Sequence, residues 1–256
     1  MSQDSRDIVW ITGASTGIGR ALALRYAKAG ATVAASARGK EALEALAAEA
    51  ETLPGVIHPA PLDVTDAEAV EACVEELEAG LGPIGQAVLN AGTHIPMGAD
   101  DFDLKGLRTL VELNVMGTAN CLTPMMSRMI ARGGGRIAVV ASLAGYCGLP
   151  SGAAYGLSKA GVINLCEALR PELEAKGVAL QLVNPGFVRT PLTDKNDFPM
   201  PFLMELDDAA EAFYRGLGKD RFEIIFPRRF AYIMKLLRAL PYGLLFLITR
   251  RLIPNK

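Results

Sequence analysis

The sequence predicts an α/β fold in which helices cover both faces of a doubly wound parallel sheet of about seven strands. Short apolar runs rich in β-branched residues alternate with longer segments rich in alanine and leucine, a pattern typical of buried parallel strands joined by helical crossovers. The chain has 256 residues, of which 50% are hydrophobic and 21% charged, so it is long enough for one sizeable hydrophobic core.

The elements follow one another along the chain without an internal repeat or a flexible linker. The predicted strands span residues 7–11, 31–36, 56–61, 86–89, 136–141, 178–183 and 222–226. The predicted helices span residues 18–29, 39–51, 66–79, 104–131, 153–176 and 207–217. We therefore expect one main domain over residues 1–227, followed by an amphipathic helical extension over residues 228–256.

Charge and cysteine content exclude several classes of protein. The net charge is -2 and the pI is near 5.8, which argues against nucleic acid as a partner, because a phosphate backbone is bound by a basic surface. The first ten residues are polar and have no secretory character, which predicts a cytoplasmic protein. We expect neither a metal site nor disulfides, and we expect apolar packing for the four widely spaced cysteines, Cys73, Cys121, Cys147 and Cys166.

Three glycines follow the first predicted strand at the point where the chain turns into a helix. Glycine lets the backbone turn tightly and approach a pyrophosphate, whose charge the amides of a helix N-terminus bind. The spacing G-x-x-x-G-x-G matches the common dinucleotide fingerprint only in part, and the alternative is a turn that merely begins a helix. We predict that this segment binds a dinucleotide through Gly13, Ser15, Thr16, Gly17, Ile18 and Gly19.

Residues at the ends of the next three strands indicate which dinucleotide is bound. The second strand ends at Arg38 with no carboxylate before Glu41, and a guanidinium grips a 2′-phosphate, so NADP(H) is favoured over NAD(H). The alternative for Arg38 is a solvated charge. The third strand leads to Asp63 and Val64, where the carboxylate is placed to receive an adenine amino group. The small residues of Asn90-Ala91-Gly92 let the backbone lie close to a flat ring.

A tyrosine and a lysine lie one helical turn apart in the segment SGAAYGLSKAGV, surrounded by small residues. The i, i+4 spacing puts Tyr155 and Lys159 on one helix face. A nearby cation lowers the pKa of a phenol, so we expect Lys159 to lower the pKa of Tyr155. Ser142 directly follows the fifth strand and is placed to donate a hydrogen bond to a carbonyl oxygen. The alternative is an exposed Tyr/Lys pair with a solvated serine.

In this order and spacing, the motifs resemble those of the short-chain dehydrogenase/reductase family over about residues 7–227. The matching segments are TGASTGIG (12–19), Asn90-Ala91-Gly92, LNVMG with Asn114, VVASLAG with Ser142, YGLSK with Tyr155 and Lys159, and PGFVRT (185–190). The family often shows N-N-A-G, whereas here Leu89 replaces the first asparagine.

This resemblance implies a Rossmann-type NAD(P)-dependent oxidoreductase in which each motif has a role. Tyr155 would be the general acid in reduction and the base in oxidation, and Lys159 would bind the nicotinamide ribose. Ser142 would orient the carbonyl, and Asn114 would hold a water in a proton relay. In the segment that begins Pro185-Gly186, the Val188 backbone and the Thr190 hydroxyl would bind the carboxamide. The resemblance also implies a homo-oligomer, either a dimer or a tetramer.

The loops after the fourth, fifth and sixth strands are expected to form an apolar substrate site. Such a lining fits a hydrophobic ketone or alcohol. A 3-oxoacyl thioester reductase and a cofactor-sensing protein without turnover are the alternatives. A lone histidine beside a turn is usually solvated, and residues 194–206 resemble a lid. The predicted wall residues are His94, Ile95, Leu143, Cys147, Leu149, Phe187 and Leu192.

The C-terminal extension is basic and apolar and has no acidic residue after Pro227. Its longest apolar run, 239–249, is well short of the ~20 residues needed to span a bilayer. The sequence leaves three roles open for the extension: a segment in a membrane interface, a subunit contact or a cover for the substrate pocket.

Overall fold

The computed structural model describes residues 8–195 and 199–253 and contains the predicted parallel sheet. The strand order is β3-β2-β1-β4-β5-β6-β7, and every neighbouring pair is parallel. Each predicted strand is present, with ends that differ by at most two residues. The strands are β1 (Ile8–Thr12), β2 (Thr32–Ala37), β3 (Val56–Pro61), β4 (Ile84–Leu89), β5 (Gly135–Val140), β6 (Val178–Pro185) and β7 (Glu223–Phe226).

Helices cover both faces of the sheet, as the sequence predicts. Helices α3, α5, α6 and α8 pack on one face, and α1, α2 and α7 pack on the other. The helices are α1 (Gly17–Lys28), α2 (Lys40–Glu49), α3 (Ala67–Leu81), α4 (Leu104–Val111), α5 (Gly117–Ala131), α6 (Ala153–Glu174), α7 (Leu206–Leu217), α8 (Arg228–Ala239) and α9 (Tyr242–Thr249).

Alternation within β1 shows how a continuous apolar run serves two cores. Ile8 and Trp10 belong to the core under α3, α5 and α6, whereas Val9 and Ile11 belong to the core under α1, α2 and α7. Successive side chains of a strand point to opposite faces, so both faces must be apolar when both are covered. The Trp10 indole N–H donates to the Ser36 hydroxyl of β2 at 2.9 Å.

The single helix predicted over residues 104–131 is instead two helices joined by a π-helical turn over Glu112–Met116. The turn holds Asn114 fully buried between two neighbouring segments, and a π-helical turn is a common device at functional sites. Apolar periodicity continues through all three pieces, which is why the sequence predicts one helix.

The C-terminal extension begins as part of the main core. Ala231 and Met234 of α8 are buried in the same cluster as the sheet and α6. No helix in the described part of the chain is both long and apolar enough to cross a membrane. Three segments that carry sequence predictions lie outside the described residues: 1–7, 196–198 within the predicted lid, and 254–256.

The cysteines are unpaired thiols. Cys121 and Cys166 are buried, and Cys73 and Cys147 are partly buried against the same core cluster.

Candidate active site

The glycine turn after β1 is held against the end of β4. The Thr12 hydroxyl oxygen accepts hydrogen bonds from the backbone N–H groups of Asn90 and Ala91, at 3.0 and 3.1 Å. In return, the Asn90 amide donates to the backbone oxygens of Thr12 and Gly13, both at 3.1 Å. These strands lie where the strand order reverses direction, which is where open α/β sheets bind ligands.

The turn leaves a cradle that only glycine can form. Gly13 has a φ of +67°, and a Cβ there would lie 2.8 Å from the Ala91 Cα. A Cβ on Gly19 would lie 2.4 Å from the Gly13 carbonyl oxygen. Thr16 precedes α1 without capping it through its side chain, so the first amides of α1 keep their hydrogen-bonding capacity. Backbone donors at a closely approachable helix N-terminus fit a dinucleotide pyrophosphate.

The cradle is continuous with the segment after β6. A Cβ on Gly17 would meet the Thr190 side chain at 3.4 Å, so the glycine turn and the PGFVRT segment face each other. The Thr193 hydroxyl donates to the Val188 carbonyl at 2.7 Å and accepts from the Thr190 N–H at 3.0 Å. These bonds fix the segment that the family resemblance assigns to the carboxamide.

Arg38 and Asp63 lie together at the far end of the same strand edge. The Asp63 carboxylate accepts hydrogen bonds from the Thr65 N–H and hydroxyl, at 3.0 and 2.8 Å. These two bonds and the positive charge of Arg38 lower the pKa of Asp63. Arg38 is exposed and lines the same hollow as Asp63, Lys105 and Arg108. Sequence reasoning missed the two cations of α4, because they lie 67 and 70 residues away from Arg38 in the chain.

Tyr155, Lys159 and Ser142 gather at the polar end of one cavity. The Lys159 side chain is 4% exposed and its Nζ donates to the Val140 carbonyl at 3.0 Å. The same nitrogen lies 5.9 Å from the centre of the Tyr155 ring. Ser142 begins a short helical turn by accepting a hydrogen bond from the Ala144 N–H at 3.2 Å. Helix α6 carries Tyr155 and Lys159, and Ser142 follows β5, so these two elements bring the three groups together.

Burial controls the ionisation of this pair. It raises the pKa of Tyr155, and a hydrogen bond with Ser142 lowers that pKa by a smaller amount. Burial also lowers the pKa of Lys159 to about 8. The expected lowering of the Tyr155 pKa by Lys159 is not observed, because burial disfavours the phenolate and raises that pKa.

Asn114 joins the loop after β4 to α6. Its Oδ1 accepts from the Thr93 N–H at 2.8 Å, and its Nδ2 donates to the Thr93 carbonyl and to the Ser158 hydroxyl, both at 3.0 Å. Ser158 in turn donates to the Tyr155 carbonyl at 2.8 Å. Asn114 therefore positions both Thr93 and the helix turn that carries Tyr155, and sequence reasoning missed Ser158 as the link.

The cavity has a volume of about 220 Å³ and apolar walls. Five of the seven predicted wall residues line it: His94, Leu143, Leu149, Phe187 and Leu192. His94 packs edge-to-face on Tyr155, with ring centres 4.6 Å apart, rather than standing in solvent.

Two predicted wall residues do not line the cavity. Cys147 packs against the main core because the turn after Ser142 directs it away from the cavity, and Ile95 packs with Met97 and Leu110. Ser15 and Thr16 lie in the same turn as the cradle glycines Gly13, Gly17 and Gly19, and Ile18 from this segment lines the cavity. Leu89 is 2% exposed and its side chain fills the core, so of the two positions only Asn90 makes side-chain hydrogen bonds to the glycine turn.

Helix α8 supplies a wall that sequence reasoning did not assign by residue. Phe230 and Met234 line the cavity, and Phe230 stacks on Phe187 with ring centres 5.5 Å apart. A Cβ on Gly186 would meet the Phe230 ring at 3.0 Å, so the glycine allows α8 to approach the end of β6. The i, i+4 spacing of Phe230 and Met234 indicates that both side chains lie on one face of a helix. Nothing in the sequence indicates that this helix lies over the cavity.

Comparisons with known proteins agree with this geometry. A family model described as short chain dehydrogenase matches residues 7–199. An uncharacterized oxidoreductase of Myxococcus xanthus is 37% identical over 252 residues, which are 98% of this chain and 100% of that protein. A 3-oxoacyl-(acyl-carrier-protein) reductase of Thermotoga maritima is 37% identical over 190 residues, 72% of this chain and 75% of that protein.

Solved structures share the whole fold. A short-chain dehydrogenase from Streptomyces avermitilis has a TM-score of 0.80 at 27% identity, covering 98% of this chain and 96% of that one. A short-chain dehydrogenase from Sphingobium yanoikuyae in complex with NADPH has a TM-score of 0.79 at 27% identity, covering 93% of this chain and 97% of that one.

Proposed function

Because the chain belongs to the short-chain dehydrogenase/reductase family, we propose that it interconverts a hydrophobic ketone or aldehyde and its alcohol, with NADP(H) as the hydride carrier. The observation that carries the proposal is one apolar cavity with Tyr155, Ser142 and Lys159 at its polar end. An apolar pocket with a few convergent polar groups orients a hydrophobic substrate by its single polar function.

Each polar group has one task in this proposal. The reduced nicotinamide, when bound, supplies hydride to the carbonyl carbon. Tyr155 donates a proton to the carbonyl oxygen, and the raised pKa of Tyr155 keeps this donor protonated at neutral pH. Ser142 donates a hydrogen bond to the same oxygen as negative charge develops there. Lys159 places a positive charge beside Tyr155 and binds the ribose, while Asn114 positions the loop and helix around them.

At neutral pH Tyr155 is in the protonated form, which is the acid that reduction needs. A protonated phenol acts as an acid, whereas oxidation of an alcohol needs the phenolate as a base. Because burial raises the pKa of Tyr155, the phenolate form is rare at pH 7, and we expect the oxidation rate to rise with pH.

Three cations support the choice of NADP(H). Arg38, Lys105 and Arg108 line one hollow beside the end of β2, where a 2′-phosphate would bind. Hydrogen bonds to a charged group are worth about 1.5–3 kcal/mol, so Arg38→Ser should weaken NADPH binding about tenfold or more and leave NADH binding nearly unchanged. Equal effects on both cofactors, measured by fluorescence titration, would remove the support for a phosphate site.

Tyr155→Phe tests the reaction. We expect this variant to lose turnover of aliphatic, aromatic, steroid and acyl-thioester carbonyls with NADPH, because the ring remains while the proton donor is gone. NADPH binding should stay within about twofold of the wild type, since Phe keeps the packing on His94. Undiminished turnover would refute the assigned acid.

A 3-oxoacyl thioester is the second candidate substrate class. The name of the Thermotoga maritima relative favours it, and the apolar cavity is compatible with an acyl chain. The same carbonyl panel separates the two candidates by kcat/KM. A non-catalytic, cofactor-sensing role would instead give NADPH binding without turnover of any carbonyl. We also propose that the protein is cytoplasmic and forms a dimer or a tetramer. Sedimentation analysis would test the oligomeric state.

A further inference from the structure

Exposed apolar side chains of α8, of α9 and of the turn that follows α9 form a surface that is here called the tail surface. It holds ten of the sixteen large hydrophobic side chains that are exposed in the described part of the chain. The exposed fractions reach 65% at Leu236 and 75% at Tyr242, which is unusual for a contiguous segment. The ten residues are Tyr232, Ile233, Leu236, Tyr242, Leu244, Phe246, Leu247, Ile248, Leu252 and Ile253.

Positive charge surrounds the tail surface. Arg228 and Arg229 stand at the start of α8, and Arg250 and Arg251 stand just after α9. All four are exposed and none forms a salt bridge with a described residue. The segment from Pro227 to the end of the chain contains no Asp or Glu. These arginines and apolar side chains therefore complement a partner that offers both negative charges and an apolar region.

We propose that the tail surface docks on an anionic lipid membrane, with its apolar side chains in the interface and its arginines on the headgroup phosphates. Helices that lie in a membrane interface combine a basic rim with exposed Leu, Phe and aromatic side chains. Each Lys or Arg near an anionic leaflet adds about 1 kcal/mol of attraction. The eight residues of α9 are far too few to cross the bilayer, so the segment lies on it.

A second copy of the chain fits the tail surface less well. In a two-fold symmetric interface the same patch meets itself, so unpaired arginines would face arginines with no carboxylate from the tail to offset them. An anionic lipid surface presents the opposite charge to the same residues.

The membrane would also supply the substrate, a step that rests on the proposed function. Phe230 and Met234 line the cavity on the inner side of α8, and Ile233 and Leu236 belong to its outer side. Helix α8 alone thus lies between the cavity and the proposed membrane surface. The substrate class that fits this arrangement is a long-chain carbonyl compound dissolved in lipid.

Vesicle co-sedimentation of the full chain tests the docking. Wild-type protein should pellet with vesicles of equal parts phosphatidylglycerol and phosphatidylcholine, and not with phosphatidylcholine alone. Pelleting should fall as NaCl rises, since salt screens exposed charges. Arg250→Gln with Arg251→Gln should weaken partitioning about thirtyfold, which corresponds to about 2 kcal/mol for two charges.

Matched leucine variants test the apolar part. Leu247→Gln should weaken partitioning about tenfold, whereas Leu104→Gln, at a similarly exposed site on α4, should have no effect. Equal recovery of the wild type in the supernatant with and without anionic vesicles would overturn the proposal. The proposal would also be overturned if Leu247→Gln bound vesicles as well as the wild type does but became a monomer where the wild type is an oligomer. That result would mean that a second copy of the chain covers the tail surface. Chain truncation after Pro227 is unsuitable, since it would remove Ala231 and Met234 from the core.

Turnover of a short, water-soluble ketone without vesicles separates the two proposals. If turnover persists while vesicle binding fails, only the docking proposal fails. If binding persists and no carbonyl is turned over, the proposed function and the substrate step fail while the docking proposal stands. Faster turnover of a vesicle-dissolved long-chain ketone by the wild type than by Leu247→Gln would support the substrate step, and equal rates would overturn it.

Discussion

Lys159→Met should abolish turnover, and it should also change how the free energy of unfolding depends on pH. The size of this change can be worked out from the pKa of Lys159. The fall of the Lys159 pKa from 10.5 to about 8, at about 1.4 kcal/mol per pKa unit, means that holding the ammonium in the folded protein at pH 7 costs about 3 kcal/mol. Methionine removes this cost and fills similar space, while the loss of the hydrogen bond to Val140 offsets about 1–3 kcal/mol. At pH 7 the variant should therefore be as stable as the wild type, or up to about 2 kcal/mol more stable.

The wild type should gain stability relative to Lys159→Met as pH rises. Between pH 8 and 10.5 the unfolded lysine still binds its proton while the folded lysine has released it, so the free energy of unfolding of the wild type rises relative to that of Lys159→Met. From pH 7 to pH 9.5 this relative gain should be about 2 kcal/mol. Urea unfolding of both proteins at pH 7, 8 and 9.5 measures it. Parallel stability curves would refute the burial argument for Lys159.

Two further substitutions test the cradle and the cavity wall. Gly19→Ala should weaken NADPH binding at least about tenfold, because its Cβ would lie 2.4 Å from the Gly13 carbonyl oxygen. The control is Gly80→Ala in α3, whose Cβ meets nothing within 4 Å and should leave NADPH binding unchanged. Similar dissociation constants for the two variants would contradict the close-approach argument. Phe230→Ala should raise KM for a bulky hydrophobic ketone about tenfold through the loss of apolar contact and leave NADPH binding unchanged. The control Phe102→Ala, at an exposed site, should change neither KM nor NADPH binding. An unchanged KM in Phe230→Ala would mean that α8 does not contact the substrate.

The sequence predicts the sheet and the polar end of the site because local signals carry both. Residues of a parallel strand buried on both faces are apolar almost throughout, so β1, which is fully buried, is predicted to within one residue at each end. Gly13, Asn90, Ser142 and Tyr155 directly follow or face strand ends, and parallel strands bring those ends to one edge of the sheet.

The features that sequence reasoning missed depend on contacts between distant segments. The π-helical turn around Asn114 is set by Thr93 and Ser158, which are 21 and 44 residues away. The raised pKa of Tyr155 depends on how completely the surrounding protein excludes water, and the spacing to Lys159 says nothing about that. Cys147 differs from the wall residues near it only in the direction that the turn gives its side chain.

A partly buried polar network connects α8 to the sheet beside the cavity. Burial raises the pKa of Glu223, but the ion pair with Lys235 of α8 and hydrogen bonds from Tyr146 and Asn184 lower that pKa further than burial raises it. The carboxylate therefore stays ionised and joins β7, α8 and the segment after Ser142. Lys235 is 42% exposed and Glu223 is 24% exposed, so solvent weakens this ion pair, but together with the hydrogen bonds it connects α8 to β7 with Phe230 and Met234 over the cavity. The apolar cavity is thus built jointly by the ends of the sheet strands and by α8.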